Sequence, residues 1–186
     1  MIIGLTGKNA AGKGETAKYL ERKGFICYSL SDVIRDECKN RNLEPTRDNM
    51  IIVGNELRAK NSPNYLAKKI NEKIKTELLK NKDSNFAIDS IRSPFEAKEL
   101  MKNKNFTLVS IDAPITTRFE RIVKRNRIGD PKTLVELREK EERENLNKDT
   151  NQQLDNTIKL AQETIVNDGT FEELYNKIEL LLKQLK

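Results

Sequence analysis

The sequence predicts a three-layer α/β/α domain, in which a five-stranded parallel sheet is covered by helices on both faces. Five short runs rich in Ile and Val end at turn residues, as buried strands do. Longer segments of helical periodicity separate the runs, and right-handed crossovers place such helices on both sides of a sheet. With no repeat or flexible linker in 186 residues, we expect a single domain over 1–186.

The predicted strands are short, continuous apolar segments, in chain order 1–6, 25–28, 85–89, 106–112 and 163–166. The first run ends at Gly7, and the last ends at the turn sequence Asn167-Asp168-Gly169. Because the strands are parallel, their carboxyl ends lie along one edge of the sheet. Ligands of such folds bind at that edge, so we expect the functional residues there.

The predicted helices are amphipathic segments, in chain order 13–22, 29–41, 46–60, 63–80, 93–102, 116–125, 131–145, 152–160 and 170 to the C-terminus. Cap signals mark several starts: Ser29 with Asp32 three residues later, Ser62 before Pro63, Ser93 before Pro94, and Thr170 with Glu173.

Two helical regions, 31–80 and 126–148, are longer than a crossover requires, and we expect them to protrude above the sheet as mobile subregions. The charged run 136–143 is expected to be a solvent-exposed helix.

The composition excludes several classes of chemistry. The chain has no His, which rules out His-based triads and His-ligated metals. Its two Cys and the absence of a signal peptide favour a reduced, cytoplasmic protein, and no apolar stretch is long enough for a membrane helix. The net charge of +6 favours a soluble protein with a phosphate-binding cleft, and nucleic-acid binding is not expected. Oligomeric state is left open.

The most specific motif is G-x-x-x-x-G-K, formed by Gly7, Gly12 and Lys13 between the first strand and the first helix. This is the P-loop, in which backbone N–H groups and a helix N-terminus bind the phosphates of a nucleotide. Lys13 is expected to neutralise the β- and γ-phosphates as a catalytic group. The residues expected to bind ATP here are Gly7, Asn9, Ala10, Ala11, Gly12, Lys13, Gly14 and Glu15.

Gly14 stands where most P-loops have a Ser or Thr whose hydroxyl binds Mg²⁺. The next hydroxyl, on Thr16, is about 200° further round the helix and cannot replace it. We therefore expect Mg²⁺ to be held by water, phosphate and one carboxylate, with Asp89 at the end of the third strand as the candidate.

Gly-Lys-Gly after the loop resembles the P-loop nucleoside monophosphate kinases of the adenylate kinase type. The segment 31–35 is similar to that family's D-L-L-R, whose arginine binds the acceptor phosphate, which implies acceptor roles for Asp32 and Arg35. The segment 89–92 is similar to the family's acidic and arginine positions, which implies an acceptor role for Arg92.

The segment from Thr117 to Arg127 resembles the family's lid, whose arginines close over the transferred phosphoryl group. The resemblance implies a lid region over 118–148, with Arg121 and Arg125 as catalytic groups. The turn 166–170 resembles the loop beside the donor adenine, which implies ATP contacts by Asp168 and Gly169. A looser similarity of 54–58 to kinase-like proteins associated with deoxycytidylate deaminases implies that Arg58 also reaches the acceptor.

These observations predict an ATP- and Mg²⁺-dependent phosphotransferase that acts on a nucleoside or deoxynucleoside monophosphate. The segments Ile3-Gly4-Leu5-Thr6 and Val166-Asn167-Asp168-Gly169 also resemble dephospho-CoA kinases, an alternative in which Asp32 would be the general base. Asp32 could equally be structural, as a helix-start residue paired with Arg35. A nucleotide-binding regulatory ATPase is the alternative of another class.

Overall fold

The computed structural model describes residues 1–127, 129–144 and 152–185 of the chain. Its sheet is five-stranded and wholly parallel, with the spatial order β2-β3-β1-β4-β5. The strands are β1 Ile2–Thr6, β2 Ile26–Ser29, β3 Phe86–Asp89, β4 Phe106–Asp112 and β5 Glu163–Val166. The predicted five-stranded parallel sheet is confirmed, and the bounds of β4 and β5 agree with the expected ones.

The helices of the described residues are α1 Lys13–Arg22, α2 Leu30–Asn40, α3 Arg47–Lys60, α4 Tyr65–Lys80, α5 Pro94–Leu100, α6 Ile115–Arg125, α7 Leu134–Glu144, α8 Leu154–Ile158 and α9 Phe171–Gln184. All nine expected helical segments are present in this part of the chain. The end of the expected lid, 145–148, lies outside the described residues.

Two apolar cores, one on each face of the sheet, define the three layers. Successive residues of β1 alternate between them: Ile2 packs with α2, α4 and α5, whereas Ile3 packs with α1 and α9. Every residue of β1 is buried, as expected of a central strand covered on both faces. This arrangement places the end of β1, and the loop that follows it, at the centre of the carboxyl edge.

Helix α4 belongs to the core, which corrects the expectation that all of 31–80 protrudes. Leu66, Ile70 and Ile74 repeat every four residues and are completely buried. The predicted start was also wrong, because the helix begins at Tyr65 after Asn64, not at Pro63. The carbonyl of Ser62 instead accepts the Tyr65 N–H at 3.0 Å and closes a turn.

Three of the expected cap residues do cap helices. Ser29 accepts the N–H of Ser31, Ser93 accepts that of Phe95, and Thr170 forms a reciprocal capping box with Glu173. These caps position the starts of α2, α5 and α9 directly after β2, β3 and β5. Three helix N-termini therefore face the edge where the P-loop lies.

No helix within the described ranges is both long and apolar enough to cross a membrane. Both cysteines are free thiols, with Cys38 buried and Cys27 half-buried. Burial and the nearby carboxylates of Glu21 and Asp89 raise the pKa of Cys27 to about 11, so its thiol stays protonated at neutral pH.

Candidate functional site

The loop between β1 and α1 has the backbone shape that its glycines predict. Gly7 and Gly12 have φ angles of 134° and 116°, in the left-handed region, and Ala10 has a φ of 60°. A Cβ on Gly7 would lie 2.1 Å from the carbonyl oxygen of Ile111, and one on Gly12 would lie 2.2 Å from Nδ2 of Asn167. Both glycines are therefore required by conformation and by close approach.

Lys13 is the first residue of α1, and its ammonium folds back over the loop. Nζ donates hydrogen bonds to the carbonyl oxygens of Gly7 at 2.6 Å and Lys8 at 2.9 Å. The positive end of the α1 dipole and this ammonium meet at the same place. This concentration of positive charge is suited to phosphate, the ligand that the motif predicts.

The residues after Lys13 show why a neighbouring hydroxyl does not replace the missing one at Gly14. The Thr16 side chain is buried and donates to the carbonyl of Gly12 at 3.2 Å, the carbonyl that also accepts the Thr16 backbone N–H. A Cβ on Gly14 would meet no atom within 4 Å, so packing does not explain the glycine. Glu15, expected to bind ATP, accepts a hydrogen bond from the Tyr175 hydroxyl at 2.5 Å.

Asp89 ends β3, and this strand pairs with β1. Its carboxylate is half-buried and accepts the Ser90 N–H at 2.6 Å. Carboxylate oxygen is a suitable donor for Mg²⁺, which usually takes few protein ligands and keeps several waters. Within the described ranges no three His, Cys, Asp or Glu side chains cluster as a metal site. The residues present thus fit Mg²⁺ held by one carboxylate, phosphate and water.

Asn167 joins the turn after β5 to the P-loop, a role that its sequence motif did not reveal. It is 3% exposed, and its Nδ2 donates to the Ala11 carbonyl at 2.7 Å. Its backbone N–H donates to the backbone carbonyl of Asp112 at 2.7 Å. Arg121 binds the same two segments, because Nη2 donates to the Asn167 carbonyl at 3.1 Å and Nη1 to that of Ala10 at 3.4 Å. Arg121 therefore lies against the P-loop, and its catalytic role stays a prediction.

Asp168 and Gly169 follow Asn167 in the exposed turn before α9. Lys177 donates to the Asp168 carboxylate at 3.2 Å, and this hydrogen bond lowers the pKa of Asp168 below its ordinary value. A Cβ on Gly169 would lie 1.7 Å from the carboxylate of the helix-start residue Glu173. The turn is thus a compact structure next to Asn167, which contacts the P-loop, and its contacts to a donor base stay a prediction.

A cavity of about 420 Å³ opens beside the P-loop at the carboxyl edge of the sheet. It brings together five of the predicted site residues, four arginines and one residue of the P-loop: Arg35, Arg58, Arg92, Arg125 and Asn9. Its remaining lining is Leu30, Ser31, Ile34, Pro45, Met50, Ile51, Leu66, Ser90, Arg127, Asp130 and Gln152. One wall is therefore apolar, and the rest is dominated by guanidinium groups.

Arg125 reaches both the lid and the P-loop. Its Nε and Nη2 donate to the two carboxylate oxygens of Asp130 at 2.8 and 2.7 Å, in a bidentate pair. Nη2 also approaches Oδ1 of Asn9 at 3.3 Å. The expected lid arginine therefore stands between the P-loop and the cavity.

Asp32 does not line the cavity. It is exposed and pairs with Arg35 three residues further along α2. Ser29 accepts the N–H of Ser31, whereas the capping-box spacing had paired Ser29 with Asp32. Asp32 therefore forms the ion pair of the structural alternative, and its partner Arg35 lines the cavity.

Arg58 and Arg92 line the cavity while bound to other side chains. Arg58 is 4% exposed and donates twice to Glu96, a residue that the sequence suggested only as part of a helix start. Nη1 of Arg92 donates to Gln152 at 3.2 Å. Both arginines are therefore positioned by their neighbours before any ligand binds.

The run 136–143 is not wholly a solvent-exposed helix, which corrects the expectation. Leu137 is buried, and the Glu141 carboxylate is bound by both terminal nitrogens of Arg118. Arg118 is itself buried, and donates to the carbonyls of Ala113 at 3.0 Å and Asn9 at 3.4 Å. This pair connects α7 to α6 and to the P-loop, and the sequence contained no signal for it.

We expect Glu141→Ala to release α7, because it leaves the buried Arg118 charge without its carboxylate. Amide exchange of α7 should become about 30-fold faster, which corresponds to about 2 kcal/mol of lost local stability. Hydrogen exchange read by mass spectrometry tests this. The control is Glu142→Ala, since Glu142 is the exposed neighbour on the same helix. Equal exchange in the two variants would contradict the prediction.

The chain is similar in sequence to other proteins. Residues 3–147 match the AAA domain family. A UPF0200 protein of Pyrococcus abyssi is 33% identical over 188 residues, which cover 100% of this chain and 97% of the relative. A UPF0200/UPF0201 protein of Archaeoglobus fulgidus is 32% identical, and the match covers 99% of this chain and 55% of that protein.

Solved structures show the same fold at low sequence identity. A Thermus thermophilus protein superposes with a TM-score of 0.66 at 17% identity, covering 100% of this chain and 98% of the other. A gluconokinase from Sinorhizobium meliloti gives 0.57 at 13%, covering 98% and 91%. Shikimate kinase from Aquifex aeolicus gives 0.52 at 19%, covering 99% and 97%. These similarities confirm the predicted P-loop kinase fold.

Proposed function

The chain belongs to the AAA domain and UPF0200 families and has a P-loop kinase fold, and from this premise we propose that it transfers the γ-phosphate of ATP to a nucleoside or deoxynucleoside monophosphate. The observation that supports this best is the cavity that continues from the P-loop. Asn9 belongs to both, and the arginines that line the cavity come from α2, α3, the turn after β3, and the end of α6 with the residues just after it. A donor phosphate and an acceptor phosphate can therefore meet at Asn9.

The charges of the cavity suit a phosphate acceptor. Phosphoryl transfer proceeds through a loose transition state that requires positioning and charge neutralisation, and both can come from Lys13, Arg121 and Arg125. Arg35 and Arg92 line the part of the cavity that we assign to the acceptor phosphate. The apolar wall of Leu30, Ile34, Met50 and other side chains provides a surface for the base of the acceptor.

A phosphate acceptor is favoured over a hydroxyl acceptor such as dephospho-CoA. A hydroxyl needs a carboxylate to accept its proton, whereas a phosphate is already ionised. Asp32 lies outside the lining and is paired with Arg35, and Asp130, the one carboxylate among the described lining residues, is bound by Arg125. Neither carboxylate is therefore a good candidate for a general base. Dephospho-CoA kinase is the alternative function, and it predicts that Asp32 is essential for activity.

Mg²⁺ bound with the nucleotide would supply further neutralisation of phosphate charge. Asp89 is the residue that we propose to hold it, with phosphate and water as the other ligands. The side chains of this chain bind and orient the two phosphates, and the turn 167–169 contacts the donor base. Arg121 binds both that turn and the P-loop, so binding of the donor base at the turn can affect the position of the loop.

The test of the function is ADP formation from ATP and Mg²⁺ with a panel of ribo- and deoxynucleoside monophosphates, with dephospho-CoA, and without an acceptor. We expect stimulation by one or more monophosphates. Stimulation by dephospho-CoA alone would replace the proposal with the dephospho-CoA kinase alternative. Turnover that no acceptor changes would identify the protein as a regulatory ATPase.

Arg35→Ala should separate acceptor use from ATP binding. Loss of a guanidinium–phosphate contact is expected to raise the KM of the monophosphate by about 10-fold or more and to leave the KM of ATP within about twofold. Lys69→Ala is the matched control, because Lys69 forms a similarly exposed pair with Glu72 on α4 and does not line the cavity. An equal effect on both KM values would contradict the assignment of Arg35.

A further inference from the structure

Glu96 is a completely buried carboxylate that binds two residues of the cavity wall. It lies in the first turn of α5, and its side chain is 0% exposed. Oε1 accepts hydrogen bonds from Nε and Nη2 of Arg58 at 3.0 and 2.7 Å. Oε2 accepts the backbone N–H of Arg92 at 3.1 Å. A single side chain therefore connects α3 to the turn that follows β3.

The geometry of the pair determines how Arg58 can meet a ligand. A guanidinium has five N–H donors, and Glu96 accepts two of them on one edge. Nη1, on the other side, lies 3.5 Å from Oδ1 of Asn55, at the outer limit of a hydrogen bond. Arg58 also lines the cavity, and Nη1 is the guanidinium nitrogen that Glu96 does not bind.

The second contact of Glu96 acts on the backbone. The Arg92 N–H bond to Oε2 holds the turn that carries Ser90 and Arg92, both of which line the cavity. Ser90 has a φ of 66°, a strained conformation that its surroundings must maintain. Glu96 therefore helps to set the position of the turn as well as the orientation of Arg58.

We infer that Glu96 is a positioning residue for the acceptor, which orients Arg58 and the Arg92 turn toward a phosphomonoester dianion. This inference rests on the proposed function, since it concerns the same cavity. An anionic acceptor group binds more tightly when the guanidinium is already oriented toward it, because reorienting a buried side chain on binding costs free energy. The pair with Glu96 also balances the Arg58 charge while the cavity is empty.

The test measures binding, so that it does not depend on transfer. AMP, CMP, GMP, UMP, dAMP, dCMP, dGMP and dTMP are each titrated calorimetrically into protein saturated with ADP, which occupies the P-loop. In Glu96→Gln the amide cannot reproduce both contacts, because its NH₂ group cannot accept an N–H. We expect the tightest mononucleotide to bind at least about 10-fold more weakly, with the affinity for ADP unchanged within about twofold.

Glu99→Gln provides a matched control on the same helix. Glu99 is also buried, and it accepts hydrogen bonds from Asn64 at 2.8 Å and Lys102 at 2.6 Å, outside the cavity lining. Its replacement should leave mononucleotide affinity within about twofold, since it removes a comparable buried carboxylate that has no cavity partner. Equal mononucleotide binding by the two variants would overturn the inference.

A second variant keeps the test valid if Glu96→Gln folds poorly. Arg58→Met combined with Glu96→Gln removes both charges and should restore folding, as removal of a whole buried pair often does. We expect it to bind mononucleotides as weakly as the single variant, and a return to the original affinity would refute positioning. If mononucleotide binding depends on Glu96 but no phosphoryl transfer is detected, only the proposed function is refuted. If no mononucleotide binds, both the proposed function and this inference are overturned.

Discussion

Replacing Lys13 with Ala should lower ATP turnover by about 100- to 1,000-fold, as expected when one preorganised charge is removed from a phosphoryl-transfer site. The ammonium lies over the loop and donates to the carbonyls of Gly7 and Lys8. From there it is placed to meet the β- and γ-phosphates, where negative charge develops during transfer. No other cation of the P-loop occupies that position in the motif, because Lys8 interacts instead with Glu141 and Asp155 at 3.6 Å.

The fold should survive this substitution. Lys13 is the first residue of α1, where Ala is compatible with a helix, and the substitution removes two side-chain hydrogen bonds to loop carbonyls. Turnover is measured as ADP formation, and folding as the thermal transition in circular dichroism. Lys18→Ala, at an exposed position of the same helix, should retain full turnover. Turnover of Lys13→Ala at the level of Lys18→Ala would refute the P-loop assignment.

The sequence predicted those parts of the site that depend on local backbone conformation. The shape of the P-loop follows from Gly7 and Gly12 because no other residue type suits a left-handed φ at close approach. The first helix was expected at 13–22 and has those bounds, since its apolar positions and the loop glycine define both ends. The strands could be predicted as well, because a short continuous apolar run is typical of a strand that is buried on both faces.

Residues that act through distant partners could not be predicted in this way. Glu96 was interpreted as part of a local helix start, yet its carboxylate binds Arg58, 38 positions earlier in the chain. Glu141 was placed in an exposed charged run, yet it pairs with the buried Arg118. A carboxylate on a charged helix has the same sequence pattern whether it is solvated or paired, and only the packing of the helices distinguishes the two cases.

The ligand-binding roles assigned by resemblance are a third category. The structure places Arg35, Arg58, Arg92 and Arg125 around one cavity, although they are separated along the chain by up to 90 residues. It places Asp32 outside that cavity. The sheet topology explains part of the grouping, because β2 and β3 are neighbours that end at the same edge, where the segments that carry Arg35 and Arg92 begin. What each arginine binds stays a prediction.

Gly7→Ala should destabilise the whole domain by about 3 kcal/mol or more, because the new methyl group meets two obstacles at once. The φ of 134° is unfavourable for any L side chain, and the Cβ would lie 2.1 Å from the carbonyl oxygen of Ile111. That oxygen belongs to β4, in the middle of the sheet, and cannot move aside as a flexible side chain can. Chemical denaturation gives the change in unfolding free energy.

Two other glycines separate the causes of this loss. Gly24 has a φ of 86°, and a Cβ there would meet no atom within 4 Å, so Gly24→Ala should lose only the conformational part, about 1–2 kcal/mol. Gly14 lies in α1 with the same open space, and Gly14→Ala should gain about 0.5–1 kcal/mol from the better helix propensity of Ala. If Gly7→Ala and Gly24→Ala lost equal stability, contact with Ile111 would not be what requires glycine at the start of the P-loop.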